Sequence, residues 1–185
     1  MKLILASTSK FKTEILNKVG LKHINIDSHY DESLVKEKNP YKKVMLLALN
    51  KANNINEDGI IIGLDTIVLV GNKILEKPKD INNARKYIEY SSNKVIKVIT
   101  GYAIKYGDKI INSYDQTNIK FKKIDEEVIN YYLKNEKDLL YASGFIIEGV
   151  MSNYIKYIKG SFYNILGVPV NKIYDELKRL GYKYI

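Results

Sequence analysis

The sequence predicts an α/β fold built on a mixed sheet, and three observations carry that expectation. Segments of period 2 alternate with segments of period 3.6, two strand pairs are joined by tight turns, and no Pro/Gly/Ser-rich linker or repeat divides the chain. Interleaved helices imply parallel strand neighbours and hairpins imply antiparallel ones, so both should share one sheet. A single domain over residues 1–185 is expected.

Taken in order, residues 2–6 read as a first strand. A helix follows over 10–19, with Ser9 placed to cap its start and Gly20 to stop it. Residues 22–28 are a second strand candidate. Asn39-Pro40 opens the next helix in the favoured cap-then-proline order, and Tyr41, Val44, Met45, Ala48, Ala52 and Ile55 hold its 3.6 period. Residues 60–70 are the most apolar run; Gly71-Asn72 turns it into a short partner at 73–75. Asp80 caps a helix to about Glu89. Long strands at 95–106 and 109–121 are joined at Gly107-Asp108. Residues 125–134 are helical with acid in the first turn. An extended segment over 145–159, a loop over 160–169 and a final helix from Val170 to Leu180, stopped by Gly181, complete the reading.

Composition narrows the chemistry. Of 185 residues 45% are hydrophobic, enough for a substantial core and incompatible with a disordered or fibrous chain. The absence of cysteine excludes disulfides, thiolate metal sites and thiol nucleophiles, and two histidines, His23 and His29, argue against a His-rich metal cage. The N-terminal apolar run is too short for a secretory signal and no stretch approaches a membrane span, so a soluble, cytoplasmic protein is expected. A net charge of +9 suits a phosphate-rich partner, nucleic acid or a small polyphosphate. The abundance of Lys, Ile, Asn and Tyr beside only two arginines equally suits drift in base composition, and the excess forms no dense run. A basic nucleic-acid-binding module, with the 16 tyrosines as stacking platforms, is the alternative to an enzyme.

Candidate functional residues stand out where polar groups interrupt the packing pattern. Asp65 is the only charge in residues 60–70, and a carboxylate in a buried strand is costly unless paired or bound to a cation. Either the strand ends near Leu64 and Asp65 caps a turn, or Asp65 is a metal ligand or general base. Lys51 lies at the edge of its helix's apolar stripe, where a lysine ordinarily snorkels. Lys12 sits at the start of the first helix, whose amide-rich end favours anions. Lys77 precedes Pro78 in an extended position after the hairpin. Three such lysines with isolated acids make a polyphosphate and divalent-cation site if the fold gathers them. No P-loop, dinucleotide-binding glycine motif or nucleophile elbow is present.

Asp65, Lys51 and Lys77 fall within longer blocks, and Lys12 lies three residues beyond another. Leu5-Ala6-Ser7-Thr8-Ser9, Asp31-Glu32, Ala48-Leu49-Asn50-Lys51-Ala52, Gly63-Leu64-Asp65-Thr66-Ile67-Val68, Ile74-Leu75-Glu76-Lys77-Pro78, Thr100-Gly101, residues 142–149, and Gly160-Ser161-Phe162 with Gly167-Val168-Pro169 follow one another along the chain. In this order the blocks resemble the Maf family of nucleoside triphosphate pyrophosphatases over nearly the whole length. The resemblance implies a two-lobed single domain around a mixed central β-sheet with a substrate cleft, similar to the inosine triphosphate pyrophosphatases. It implies hydrolysis of a nucleoside triphosphate to the monophosphate and pyrophosphate, dependence on Mg²⁺ or Mn²⁺, and a homodimer. The implied role is removal of non-standard or excess nucleotides, or control of division. By matching motif, Asp65 is the implied proton acceptor, with Glu32 its partner in metal binding; Ser9, Lys12, Lys51 and Lys77 would hold the triphosphate. Read without the resemblance, Glu32 is an ordinary solvent-facing acid.

The chain departs from the family at its specificity positions. Lys10 stands where proline is usual, which loosens the entry to the first helix. Phe11 and Glu148 resemble the 7-methyl-GTP branch, whereas Thr66 resembles the dTTP/UTP branch. An aromatic ring favours a cationic methylated purine, and a carboxylate accepts from guanine's N1–H and amino group. The base is therefore open between a methylated guanine and uracil or thymine.

Overall fold

The computed structural model describes residues 1–136, 138, 140 and 145–183. The chain packs as two compact units: Met1–Thr66 with Ile99–Gln116 and Ser161–Ile185, and Ile67–Val98 with Thr117–Gly160. Seven strands form one mixed sheet: β1 (Leu3–Leu5), β2 (Ile24–Asn25), β3 (Ile60–Val70), β4 (Lys73–Leu75), β5 (Val95–Tyr106), β6 (Lys109–Phe121) and β7 (Ile155–Lys159). The order is β2-β1-β3-β5-β6-β7, with β4 paired to β3. β1 runs parallel to β2 and β3 across helical connections, β3–β4 is an antiparallel hairpin, and β6–β7 is antiparallel with a helix between the two strands in sequence.

In the first unit β1 and the adjoining stretches of β3 and β5 are buried on both faces, and their period of 2 sorts side chains between two cores. Leu3, Leu5, Ile60, Ile62, Leu64, Tyr102 and Ile104 pack on one face with Ile15 and Leu16 of helix α1 (Lys10–Lys18) and Ile173 and Leu177 of helix α6 (Val170–Arg179). Ile4, Ala6, Ile61 and Ala103 point the other way, onto Ala48 and Ala52 of helix α2 (Pro40–Asn53). Ser9 caps α1, accepting from the Lys12 amide, and Asn39 caps α2 ahead of Pro40.

Two glycines let α2 lie unusually close to the sheet. A Cβ at Gly63 would stand 2.0 Å from the Ala48 carbonyl oxygen, and one at Gly101 would stand 2.2 Å from that of Val44. Backbone meets backbone there, so no other residue fits without moving the helix.

In the second unit the β3–β4 turn falls at Gly71-Asn72, with Val70 opposite Lys73. Helix α3 (Ile81–Ser91) is capped by Asp80 and is tied by Arg85 to Glu126 and Asn130 of helix α4 (Glu126–Asn135). Tyr132, buried in α4, accepts from the Ile146 amide through its hydroxyl.

Three expectations are corrected. The strand over 22–28 shrinks to Ile24–Asn25, because its partner β1 is itself only three residues long and both residues of β2 are exposed. The extended segment over 145–159 is a strand only from Ile155; Val150–Tyr154 form a 3₁₀ turn, and the buried Ile147 and Met151 stand four apart, a helical spacing. The loop over 160–169 contains a one-turn helix, α5 (Phe162–Ile165), too short to show a period. Residues 142–144 of the family-like block lie outside the described residues.

Candidate functional site

Alternation along β3 decides where the site forms. Ile61, Gly63 and Asp65 share the α2 face, so the strand carries its one carboxylate towards that helix. β3 continues through Asp65 to Val70, which rejects the turn-cap alternative. Lys51 lies in the last turn of α2, and the helix's close approach over Gly63 brings its ammonium to Asp65.

Lys51 Nζ donates to Asp65 Oδ1 at 2.7 Å and pairs with Glu32 Oε1 at 2.6 Å. Its side chain is only 12% exposed, so the lysine is drawn inward by two carboxylates and does not snorkel. Glu32 comes from a 3₁₀ turn, Glu32–Leu34, whose start is capped by Asp31 accepting from the Ser33 amide. The Glu32 side chain is 56% exposed and Asp65 is 8% exposed, so one ammonium bridges an open and a buried carboxylate.

Burial pushes the Asp65 carboxyl above its ordinary range; the cations of Lys51 and Lys12 oppose that shift without cancelling it. For Lys51 burial acts downward, but Asp65 and then Glu32 outweigh it and hold the ammonium above the usual lysine value. The pair is thus a strongly held cation beside a carboxylate of raised basicity.

Lys12 reaches the same strand from α1, donating from Nζ to the Leu64 carbonyl at 3.0 Å. Ser9, one turn earlier, holds the helix start through the Lys12 amide at 3.5 Å. Phe11 projects from the same turn and is 51% exposed. Thr66, the next residue after Asp65, points to the opposite face, its hydroxyl 3.1 Å from that of the buried Thr100. Ser9, Phe11, Lys12, Glu32, Lys51, Asp65 and Thr66 all belong to the first unit. Lys77 and Glu148, both exposed, belong to the second: Lys77 follows β4, and Glu148 lies in the turn before the 3₁₀ segment.

Two carboxylates meeting at one ammonium nitrogen are an all-oxygen donor pair, the chemistry that suits Mg²⁺ held jointly with substrate phosphates. No group of three or more His, Cys, Asp or Glu among the described residues could hold a metal ion by itself. The residues therefore fit a cation shared with an oxygen-rich ligand and not a closed protein cage. No helix among the described residues is long and apolar enough to cross a membrane.

Sequence reasoning alone missed Glu32, whose exposure gives no packing conflict, and the roles of Gly63 and Gly101, which depend on how near α2 comes.

Residues 2–180 match the profile of a family described as Maf-like protein. Two proteins named dTTP/UTP pyrophosphatase are similar along nearly their full lengths. That of Thermosipho africanus (strain TCF52B) is 34% identical over 96% of this chain and 92% of its own. That of Pyrococcus furiosus is 36% identical over 98% and 96%. Among solved structures, the Staphylococcus aureus Ham1 protein is similar at a TM-score of 0.43 and 13% identity, covering 65% of this chain and 72% of its own.

Proposed function

The chain belongs to the Maf family, and from that membership we propose that it is a nucleoside triphosphate pyrophosphatase that hydrolyses dTTP or UTP to the monophosphate and pyrophosphate. The observation that carries the reading is the Lys51 bridge between Asp65 and Glu32. It joins, in one place, a partly buried cation for phosphate, a carboxylate of raised basicity and a second acid. The pyrimidine base follows the names of the relatives. Phe11 and Glu148 are both exposed and free of core packing duties, which favours a methylated guanine as the second reading.

A triphosphate repels an incoming hydroxide, so its charge must be neutralised and its α-phosphorus oriented for in-line attack. Lys51 and Lys12 bring point charges from α2 and α1, and Ser9 caps a helix whose N-terminal N–H groups favour an anion. Lys77 is a further cation assigned to the phosphates in this reading. Asp65 accepts the proton of the attacking water at its carboxylate, a task that burial assists by raising its basicity. The water oxygen bonds to the α-phosphorus as the bond to the α–β bridging oxygen breaks, and pyrophosphate leaves. Asp65 and Glu32 would hold the divalent cation, which when bound neutralises phosphate charge and acidifies a coordinated water. A homodimer in the cytoplasm belongs to the same reading, and light scattering tests the assembly.

The deciding experiment measures pyrophosphate release from dTTP, UTP, GTP and 7-methyl-GTP with and without Mg²⁺ or Mn²⁺, beside oligonucleotide binding at several salt concentrations. Cation-dependent release that is fastest on dTTP or UTP is expected. Tight oligonucleotide binding without any hydrolysis would overturn the reading.

A further inference from the structure

Glu32 is held at a place where little around it is buried. None of the three residues of its 3₁₀ turn is buried, and the turn lies outside every strand of the sheet. An exposed glutamate on such a turn ordinarily samples many positions, yet here it stands 2.6 Å from Lys51. The side chains that α2 directs at this segment explain why. Asn50 Nδ2 donates to the Tyr30 hydroxyl at 2.7 Å, and Asn54 donates to the Ser28 carbonyl. Ser28 is buried and Tyr30 half-buried, so both links lie at the foot of the segment and Glu32 at its exposed end. Asn50 and Asn54 are one helical turn apart and flank Lys51. One face of α2 thus supplies both the cation that Glu32 meets and the amides that fasten the residues leading to it.

We propose that Asn50 is a positioning residue for the reaction: through the Tyr30 hydroxyl it fixes residues 28–34 so that the Glu32 carboxylate is presented to Lys51 and Asp65 before substrate arrives. Neither side chain touches the reacting atoms in this assignment. Their contribution is preorganisation, the difference between a carboxylate already in place and one that must be ordered in each turnover. The proposal rests on the reading of Glu32 as a site residue, and its test separates the two.

Tyr30→Phe removes one hydroxyl and keeps the ring, so it leaves the packing of the segment in place. Asn50→Ala removes the donor. Each is made in the full chain, alone and together with Glu32→Gln. Amide exchange of the metal-free protein reads the fastening directly; kcat and KM on the nucleotide turned over fastest read its use. Exchange over residues 28–35 is expected to quicken by about tenfold while that over 40–53 stays unchanged, the scale of one lost hydrogen bond. kcat should fall by roughly five- to tenfold with KM within about twofold, and that loss should vanish in the Glu32→Gln background. Unchanged exchange over 28–35, or an undiminished loss of kcat without the Glu32 carboxylate, would overturn the proposal. Should the unmodified protein hydrolyse no triphosphate, the proposed function fails, and the exchange measurement alone decides whether Asn50 fastens the segment.

Discussion

Burial raises the Asp65 carboxyl, and that direction fixes what its removal does to stability. Between the ordinary carboxylate value and the raised one, the folded chain keeps a proton that the unfolded chain has lost. Stability contributed by this group therefore falls as pH rises through that window, and the ionised carboxylate is a net burden above it. Asp65→Asn lacks this titration, so its melting temperature relative to the parent is expected to rise as pH climbs from about 4 through that window and to stay level above it. Its turnover should fall by about 10²-fold or more, the scale of one general base. Retention of more than about a tenth of the parental rate would remove Asp65 from the chemistry. Lys51 has the opposite sense: raised above the usual lysine value, it stabilises fully at neutral pH and is lost only as strong alkali removes its proton. Lys51→Ala leaves a buried carboxylate without its cation, so we expect a loss of ~2–3 kcal/mol together with activity; uptake of a proton by Asp65 limits the damage. Lys77→Ala, at an exposed position, should slow turnover without moving Tm. Calorimetry and kinetics on the two variants distinguish them, and equal Tm losses would contradict this account.

Elements translate those residue properties into position. The site depends on α2 lying against the sheet at Gly63 and Gly101, so Gly63→Ala must displace a helix backbone and not merely a side chain. A cost of about 3 kcal/mol is expected, roughly 6–12 °C in Tm for a chain of this size, with lost turnover because Lys51 moves too. A variant that keeps both Tm and rate would show that α2 yields freely. The same elements show what the sequence made legible. β3, β5 and β6 and both hairpin turns fall where expected, because long β-branched runs between Gly-Asn and Gly-Asp dipeptides admit one reading. Residues 145–154 misled, since their alternation is interrupted by two buried side chains at helical spacing and only the tertiary core selects between the periods. Asp65, Lys51 and Lys12 were visible as charges inside apolar patterns. Glu32 was visible only through the family-like motif, and Asn50 and Tyr30 not at all, because their hydrogen bond exists only once α2 and the segment are folded together.

At the scale of the whole molecule, the candidate specificity residues fall in different units, Phe11 and Thr66 in one and Glu148 in the other, so each is tested by its own variant. If the substrate is a pyrimidine, Phe11→Ala and Glu148→Gln should each lower kcat/KM about equally on every triphosphate. If it is a guanine, Glu148→Gln should weaken GTP or 7-methyl-GTP relative to UTP by roughly tenfold, the worth of one charge-assisted hydrogen bond. Measuring kcat/KM for both variants across purines and pyrimidines separates the cases. The division of the chain has a further consequence, one of inheritance. The polypeptide passes between the two units four times, after Thr66, Val98, Gln116 and Gly160, and three of those crossings fall inside β3, β5 and β6. Any continuous fragment that contains the whole of one unit also contains strand segments of the other. A gene rearrangement that moved either unit as one continuous piece would therefore carry strand segments of the other with it.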